Sequence, residues 1–159
     1  GWEELGVMAD YVVMMGYDEH YSGSAEAGSV ASIGYVQEGL QTLLQNGVPA
    51  SKIINGVPFY TRIWKTTGAE VTSEAVSMES AASFIARNNV ETAWDETTCQ
   101  NYGELASGES LYQVWLEDRE SMEARISVMD ALGIAGVAEW KLGLENKDVW
   151  DVIASYVQR

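Results

Sequence analysis

Apolar residues run unbroken through Tyr11-Val12-Val13-Met14-Met15, after Asp10 and before Gly16. A short, partly β-branched run closed by glycine predicts a strand over 10–15 buried on both faces, as in parallel sheets. Residues 16–28 are polar and glycine-rich and are expected to form a loop. Ser29 is then expected to cap a helix carrying Val30, Ile33, Val36, Leu40, Leu43 and Leu44 at helical spacing. Asn46-Gly47 ends it, with Gly47 suited to a left-handed cap, and Pro49 reinforces the stop. Lys52 to Pro58 is a second buried strand, so strand, helix and strand form a right-handed parallel unit.

The pattern returns near the C-terminus. Asp118 is expected to cap a helix with Met122, Ile126 and Met129 on one stripe, closed by Gly133. Ile134 to Ala138 is a third short strand. Glu145 to Val157 reads as a last helix, with Val149, Trp150, Ile153 and Val157 on one side. Between these parts the texture differs. Ser77 caps a predicted helix through Ala81, Phe84 and Ile85 to Asn88-Asn89, and strands are predicted over 91–95 and 110–115 around a Gly103–Gly108 turn region.

The fold class is therefore α/β. Residues 1–64 and 117–159 are expected to form one part, with an inserted α+β module over 65–116. Three parallel strands can form a small open sheet or belong to a larger (β/α) barrel. In a barrel, chemistry sits at the C-terminal strand ends, and here Tyr17-Asp18, Tyr60-Thr61-Arg62 and Trp140 gather at those ends.

Composition narrows the partners. Of 159 residues, 47% are hydrophobic and 21% charged, which is globular rather than disordered. There are 9 Lys and Arg against 24 Asp and Glu, for a net charge of -15. Lys52 is the sole basic residue among the first sixty, so neither nucleic acid nor an anionic membrane is an expected partner. No apolar run reaches the ~18 residues of a spanning helix. No start Met or signal peptide opens the chain at Gly1-Trp2, and it is expected to be a fragment. With one cysteine, Cys99, and one histidine, His20, neither a Cys-based nor a His-rich metal site is expected, and no cofactor is. A Cys99–His20 catalytic pair lacks a nucleophile context; Cys99 reads as a loop or strand thiol and His20 as a loop residue. Aromatic usage is skewed to 6 Trp and 8 Tyr against 2 Phe. Flat rings with a polar handle suit sugar stacking as well as ordinary core packing.

The strand ends carry a resemblance. Met15-Gly16-Tyr17-Asp18 resembles the Met-x-Tyr-Asp motif on the sixth strand of glycoside hydrolase family 18, which includes chitinases and endo-N-acetylglucosaminidases. Gly56-Val57-Pro58-Phe59-Tyr60 resembles the seventh-strand segment, and Gly136-Val137-Ala138-Glu139-Trp140 the eighth. Trp94-Asp95, Trp115-Leu116-Glu117-Asp118 and Lys141-Leu142-Gly143-Leu144-Glu145 are similar to the bacterial branch of spore-germination and cortex-lytic N-acetylglucosaminidases. The family's Asp-x-x-Asp-x-Asp-x-Glu run, which ends in its general acid, has no counterpart here. The nearest acidic stretch, Glu117-Asp118-Arg119-Glu120, reads as a cap and first-turn charge set.

The resemblance implies strands six to eight of a (β/α)8 barrel with their helices, carrying an insertion. It implies hydrolysis of N-acetylglucosamine-containing polysaccharide, chitin-like or peptidoglycan, with the substrate's own acetamido oxygen as nucleophile and the acid Glu outside this chain. This chain alone is then expected to be inactive. The alternative is a lectin-like, non-catalytic member of the same family. By resemblance Tyr17 holds the acetamido group, Asp18 binds nearby and sets the field around the acid, Trp140 stacks beneath the sugar, and Met15 lines the pocket floor. Tyr60 and Arg62 are candidate substrate contacts. Glu139 is not taken as the acid, because alternation turns it away from Trp140. The resemblance also implies an extracellular, cell-wall or spore location. Self-association through exposed sheet edges is expected of the fragment.

Overall fold

The computed structural model describes residues 1–158. Along the chain come helix α1 (Trp2–Met8), strand β1 (Val12–Met15), helix α2 (Ile33–Gln45), a 3₁₀ turn (Ala50–Lys52), and strands β2 (Ile53–Pro58), β3 (Tyr60–Thr67) and β4 (Glu70–Ser77). Helix α3 (Met78–Arg87), strands β5 (Thr92–Asp95), β6 (Gln100–Ser107) and β7 (Ser110–Trp115), helix α4 (Arg119–Leu132), strand β8 (Gly136–Trp140) and helix α5 (Val149–Val157) follow. The strands form two sheets. One is parallel, in the order β1-β2-β8; the other is antiparallel, in the order β4-β3-β7-β6-β5.

The parallel sheet buries one face under helices. Val12 lies across from Ile53, and Val57 lies two positions beyond Asn55 on the same face. Val12, Ile53 and Val57 pack with Val36, Leu40 and Leu43 of α2, Met122, Ile126 and Met129 of α4, and Val149 and Ile153 of α5. Each such side chain contributes roughly 1.5–3 kcal/mol through burial. The other face is open: Val13 is 52% exposed and Met15 68%. The expectation of strands buried on both faces therefore fails for β1, where alternate residues meet solvent.

Local signals explain the helix ends and where they shift. Ser77 and Asp118 cap α3 and α4, accepting from the backbone N–H of Ser80 and Ser121. Gly133 closes α4 at φ 65, a left-handed position that a Cβ disfavours. Helix α2 is capped by Ser32 rather than Ser29: Ser32 accepts from the Tyr35 N–H, while the Ser29 hydroxyl donates to Gln100. Both serines satisfy the cap rule, and the long-range partner takes the first. Helix α5 begins at Val149, later than the expected Glu145, because the Glu145 carboxylate accepts instead from the Gly143 N–H at 2.7 Å and the Trp150 Nε1–H at 3.3 Å.

The antiparallel sheet spans Tyr60 to Trp115, so the boundary expected at 64/65 falls inside β3. Gly103 lies within β6 rather than in a turn. A Cβ there would come within 2.9 Å of Val90 Cγ1, so the glycine permits close approach of the segment leading into β5.

A buried polar network ties β6 of the antiparallel sheet to α4 and to the segment before α2. Arg125 of α4 donates to Glu117 at 2.8 and 2.9 Å and to the Ala31 carbonyl at 3.0 Å. Glu117 also accepts from Ser121 Oγ and Gln100 Nε2, each at 3.0 Å, and Gln100 accepts from Ser29. Asp118 is the cap and Glu120 the first-turn charge, as expected, but Glu117 stands apart from them: it is 2% exposed and ion-paired. Burial pushes its carboxyl up, and the Arg125 guanidinium opposes that shift.

Candidate functional site

The backbone that leaves β1 carries the first two candidate residues. The Gly16 N–H donates to the Gly56 carbonyl at 2.9 Å, holding the chain against β2 for one more residue. A Cβ on Gly16 would lie 2.5 Å from the Asn55 amide oxygen and 2.8 Å from the Gly56 carbonyl, so only glycine fits. Tyr17 follows, then Asp18 at φ 60. Asp18 is one of the residue types that accept this left-handed conformation most readily. The Tyr35 hydroxyl reaches from α2 to the Tyr17 carbonyl at 3.2 Å.

Tyr60 stands at the start of β3, directly after β2 ends. Its hydroxyl donates to the Asp18 carboxylate, and its ring meets Tyr17 edge-on, with centroids 6.2 Å apart and planes at 72°. Burial first, then the bond to Asp18, pushes the Tyr60 phenol far above its usual value near 10. Tyr60 therefore remains a neutral donor to a charged acceptor. Burial also raises Tyr17, and the Asp18 charge adds to it.

Trp140 ends β8 opposite Pro58 and is 55% exposed. The Phe59 N–H donates to its carbonyl at 2.8 Å, which ties the end of β8 to the β2–β3 junction. Trp140, Tyr60, Asp18 and Arg62 line one groove of about 320 Å³, closed along one side by Ala75, Val76 and Ser77 of β4 and its end. Arg62 donates from Nη1 to Ser73 Oγ at 3.0 Å.

The structure thus brings Asp18, Tyr60, Arg62 and Trp140 together, with Tyr17 edge-on to Tyr60. Met15 lies elsewhere. It lines a larger groove of about 570 Å³ with Trp2, Tyr35 and Leu43, along the free side of β1. Glu139 pairs in register with Val57 and Trp140 with Pro58, so alternation places them on opposite faces. Burial raises the Glu139 carboxyl, helped by Glu145. His20 sits in the loop before α2, its Nδ1 2.8 Å from the Ser29 carbonyl oxygen. The Cys99 thiol donates to the Glu96 carbonyl at 3.7 Å. Among the described residues no cluster of His, Cys, Asp and Glu could hold a metal ion.

Lys141 lines the same groove and is absent from the candidates read in the sequence. Its signals in the sequence are its position directly after Trp140 and at the head of Lys141-Leu142-Gly143-Leu144-Glu145. The β4 wall left no signal, because its alternating Ser, Thr and Glu resemble a loop.

Comparisons with known proteins agree on lineage. The cortical fragment-lytic enzyme of Bacillus subtilis (strain 168) is 30% identical over 148 residues, covering 91% of this chain and 34% of that protein. The spore cortex-lytic enzyme SleL of Bacillus cereus superposes with a TM-score of 0.87 at 27% identity, covering 98% of this chain and 36% of that one. The chitinase of Chromobacterium violaceum gives a TM-score of 0.87 at 26% identity, covering 100% and 49%. The chain thus has the mixed α/β fold of these domains and spans about a third of the length of the first of these relatives. Residues 2–145 match the sequence profile of the glycosyl hydrolases, family 18, and this chain belongs to that family.

Proposed function

We propose that this chain supplies the sugar-binding wall and the positioning residues of a glycosidase that cleaves N-acetylglucosamine-containing polysaccharide. The observation that carries this reading is the convergence of Asp18, Tyr60 and the open Trp140 ring on one groove, with Tyr17 held against Tyr60. An exposed indole beside fixed hydroxyl and carboxylate groups suits a pyranose, whose axial C–H bonds stack while its hydroxyls accept and donate.

In this reading the three parallel strands are an arc of a (β/α)8 barrel, and the antiparallel sheet is a module inserted after β2. Tyr17 donates to the substrate's acetamido oxygen and holds it in line with the anomeric carbon. Asp18 fixes Tyr60 and sets the negative field that favours the developing oxazolinium cation. Trp140 carries the ring at the cleaved bond. Met15 forms part of the pocket floor only when further strands complete the barrel. The general acid lies outside this chain, which has no Asp-x-x-Asp-x-Asp-x-Glu run. The chain alone is therefore inactive. The names of the cortex-lytic relatives support a spore or cell-wall location for the whole protein.

Two measurements test this. Titrating the chain with chitooligosaccharides should perturb Trp fluorescence, and Trp140→Ala should weaken binding about tenfold or more, as loss of a stacking platform does. A chromogenic chitobioside should be turned over by the full-length protein and not by residues 1–159. Absence of saccharide binding by both proteins would overturn the reading. Binding without turnover by the full-length protein would favour the lectin-like alternative.

A further inference from the structure

Asp18 is exposed, yet its backbone stands at φ 60. Even for an aspartate, such a backbone persists where the contacts around it leave no alternative. The bond from Tyr60 fixes the carboxylate rather than the backbone. The backbone is held on both sides by the start of α2. Before Asp18, the Tyr17 carbonyl accepts from the Tyr35 hydroxyl at 3.2 Å. After it, the Glu19 N–H donates to the Val30 carbonyl at 2.9 Å. The Glu19 carboxylate accepts from the Ser32 N–H at 2.7 Å and from the Ser32 hydroxyl at 3.0 Å. Ser32 Oγ in turn accepts from the Tyr35 N–H, which closes a ring of hydrogen bonds around the Tyr17-Asp18 turn.

The segment that Glu19 grips is itself held by parts distant in sequence. The Ser29 hydroxyl donates to Gln100 at the start of β6. The Ile33 N–H donates to the Thr98 carbonyl, in the turn between β5 and β6, at 3.0 Å. Arg125 of α4 donates to the Ala31 carbonyl at 3.0 Å. Gln100 is fully buried, and its amide nitrogen donates to Glu117 at 3.0 Å and to the Leu116 carbonyl at 3.2 Å, so it is fixed at both ends. The antiparallel sheet therefore reaches the turn by a second route besides Tyr60: from Gln100 to the segment before α2, and from that segment to Glu19.

We propose that Glu19 is a positioning residue for Tyr17 and Asp18, and that Gln100 makes the antiparallel sheet the support on which Glu19 rests. The inference rests on the roles proposed for Tyr17 and Asp18 above and names the residues on which those roles depend. Glu19 touches no reacting group; it acts by keeping the turn in place, and a misplacement of about 1 Å can cost on the order of a hundredfold in rate.

Kinetics of the full-length protein on a chromogenic chitobioside, with amide NMR of residues 1–159, test this. Glu19→Ala should lower kcat about tenfold, change KM by less than about twofold, and shift the Asp18 amide resonance, in protein with an unchanged thermal midpoint. Glu19→Gln removes the charge but keeps an oxygen for the Ser32 N–H, and it should restore most of kcat. A Gln variant as slow as the Ala variant would mean that charge rather than position matters, and overturns the inference. Gln100→Ala should shift the same resonance and lower kcat about threefold or more with little change in KM. If it does not fold, Ser29→Ala cuts the same link. An Asp18 resonance that the folded variant of this pair leaves in place overturns the part given to the antiparallel sheet. Unchanged kcat and an unmoved Asp18 resonance in Glu19→Ala overturn the inference while leaving the roles of Tyr17 and Asp18 intact. No turnover by the full-length protein, or full turnover by both Tyr17→Phe and Asp18→Asn, removes the underlying reading and the inference with it.

Discussion

Tyr17, Asp18 and Tyr60 form a small interdependent unit. Asp18 sits at φ 60 and accepts from Tyr60, and Tyr60 in turn backs Tyr17 edge to face. Tyr60 is buried while Asp18 is exposed, so their hydrogen bond contributes about 1–2 kcal/mol, below that of a fully shielded pair. Tyr60→Phe keeps the ring contact and removes the donor, and it should lower stability by about 1–2 kcal/mol in a denaturant series. The pH dependence has a definite sign. Tyr60 has a folded-state pKa raised above its unfolded value, so its contribution is fully present below pH 10. That contribution is lost as alkali forces the phenolate. In a spectrophotometric titration of the eight tyrosines, Tyr60→Phe should remove the component that ionises last and blunt the alkaline loss of stability. If Tyr17 holds the acetamido group as proposed, Tyr17→Phe should act on chemistry rather than on folding. In the full-length protein it should lower kcat more than it raises KM, because the acetamido oxygen needs the hydrogen bond most as it attacks. An unchanged kcat would reduce Tyr17 to a packing role.

Among the elements, the buried network ties β6 to α4 and to the segment before α2. Arg125 on α4, Glu117 before it, Gln100 on β6 and Ser29 before α2 are each under 5% exposed. The loop carrying Glu19 and His20 hangs from the same place: the Glu19 N–H donates to the Val30 carbonyl, and the Glu19 carboxylate holds the Ser32 N–H and hydroxyl. Arg125→Met leaves Glu117 buried and unpaired and should cost about 3–5 kcal/mol. Replacing both partners by apolar residues of similar volume should recover much of that loss, which a double-mutant cycle would measure. Little of this was legible beforehand, and the reason is physical. Capping chemistry is local, so Ser77, Asp118 and Gly133 announced their roles by spacing alone. Glu117 next to the Asp118 cap looked like one more surface charge, because its partner Arg125 is recognisable only once α4 packs against β6. Strands β4 and β6, half-exposed and rich in Thr, Ser, Glu and Gly, carry little apolar signal, while in β3 the apolar Tyr60, Ile63 and Trp64 do not alternate with polar residues. At the groove, strand-end aromatics stood out, whereas Lys141 and the β4 wall acquire meaning only from folding.

At the scale of the whole molecule, the parallel sheet has two open edges among the described residues. Among the described residues β1 pairs only with β2 and β8 only with β2, so each presents a free row of backbone donors and acceptors. Tyr11, Val13, Met15 and Trp2 are all more than half exposed around the β1 edge, beside a groove of about 570 Å³ floored by Met14 and Leu43. An apolar edge of this kind pairs with another strand when one is in reach, and in a solution of this chain alone that strand belongs to a second copy. The opposing influence is charge: each copy carries -15, and like charge holds the copies apart at low ionic strength. At physiological salt the screening length is about 8 Å, so the repulsion fades while apolar burial does not. Residues 1–159 should therefore sediment as a monomer in dilute buffer and as a dimer or larger species at micromolar concentration in physiological or higher salt. Val13→Lys places a charge on that edge strand and should restore the monomer. A concentration-independent monomer at every salt concentration would show that this edge is protected as it stands.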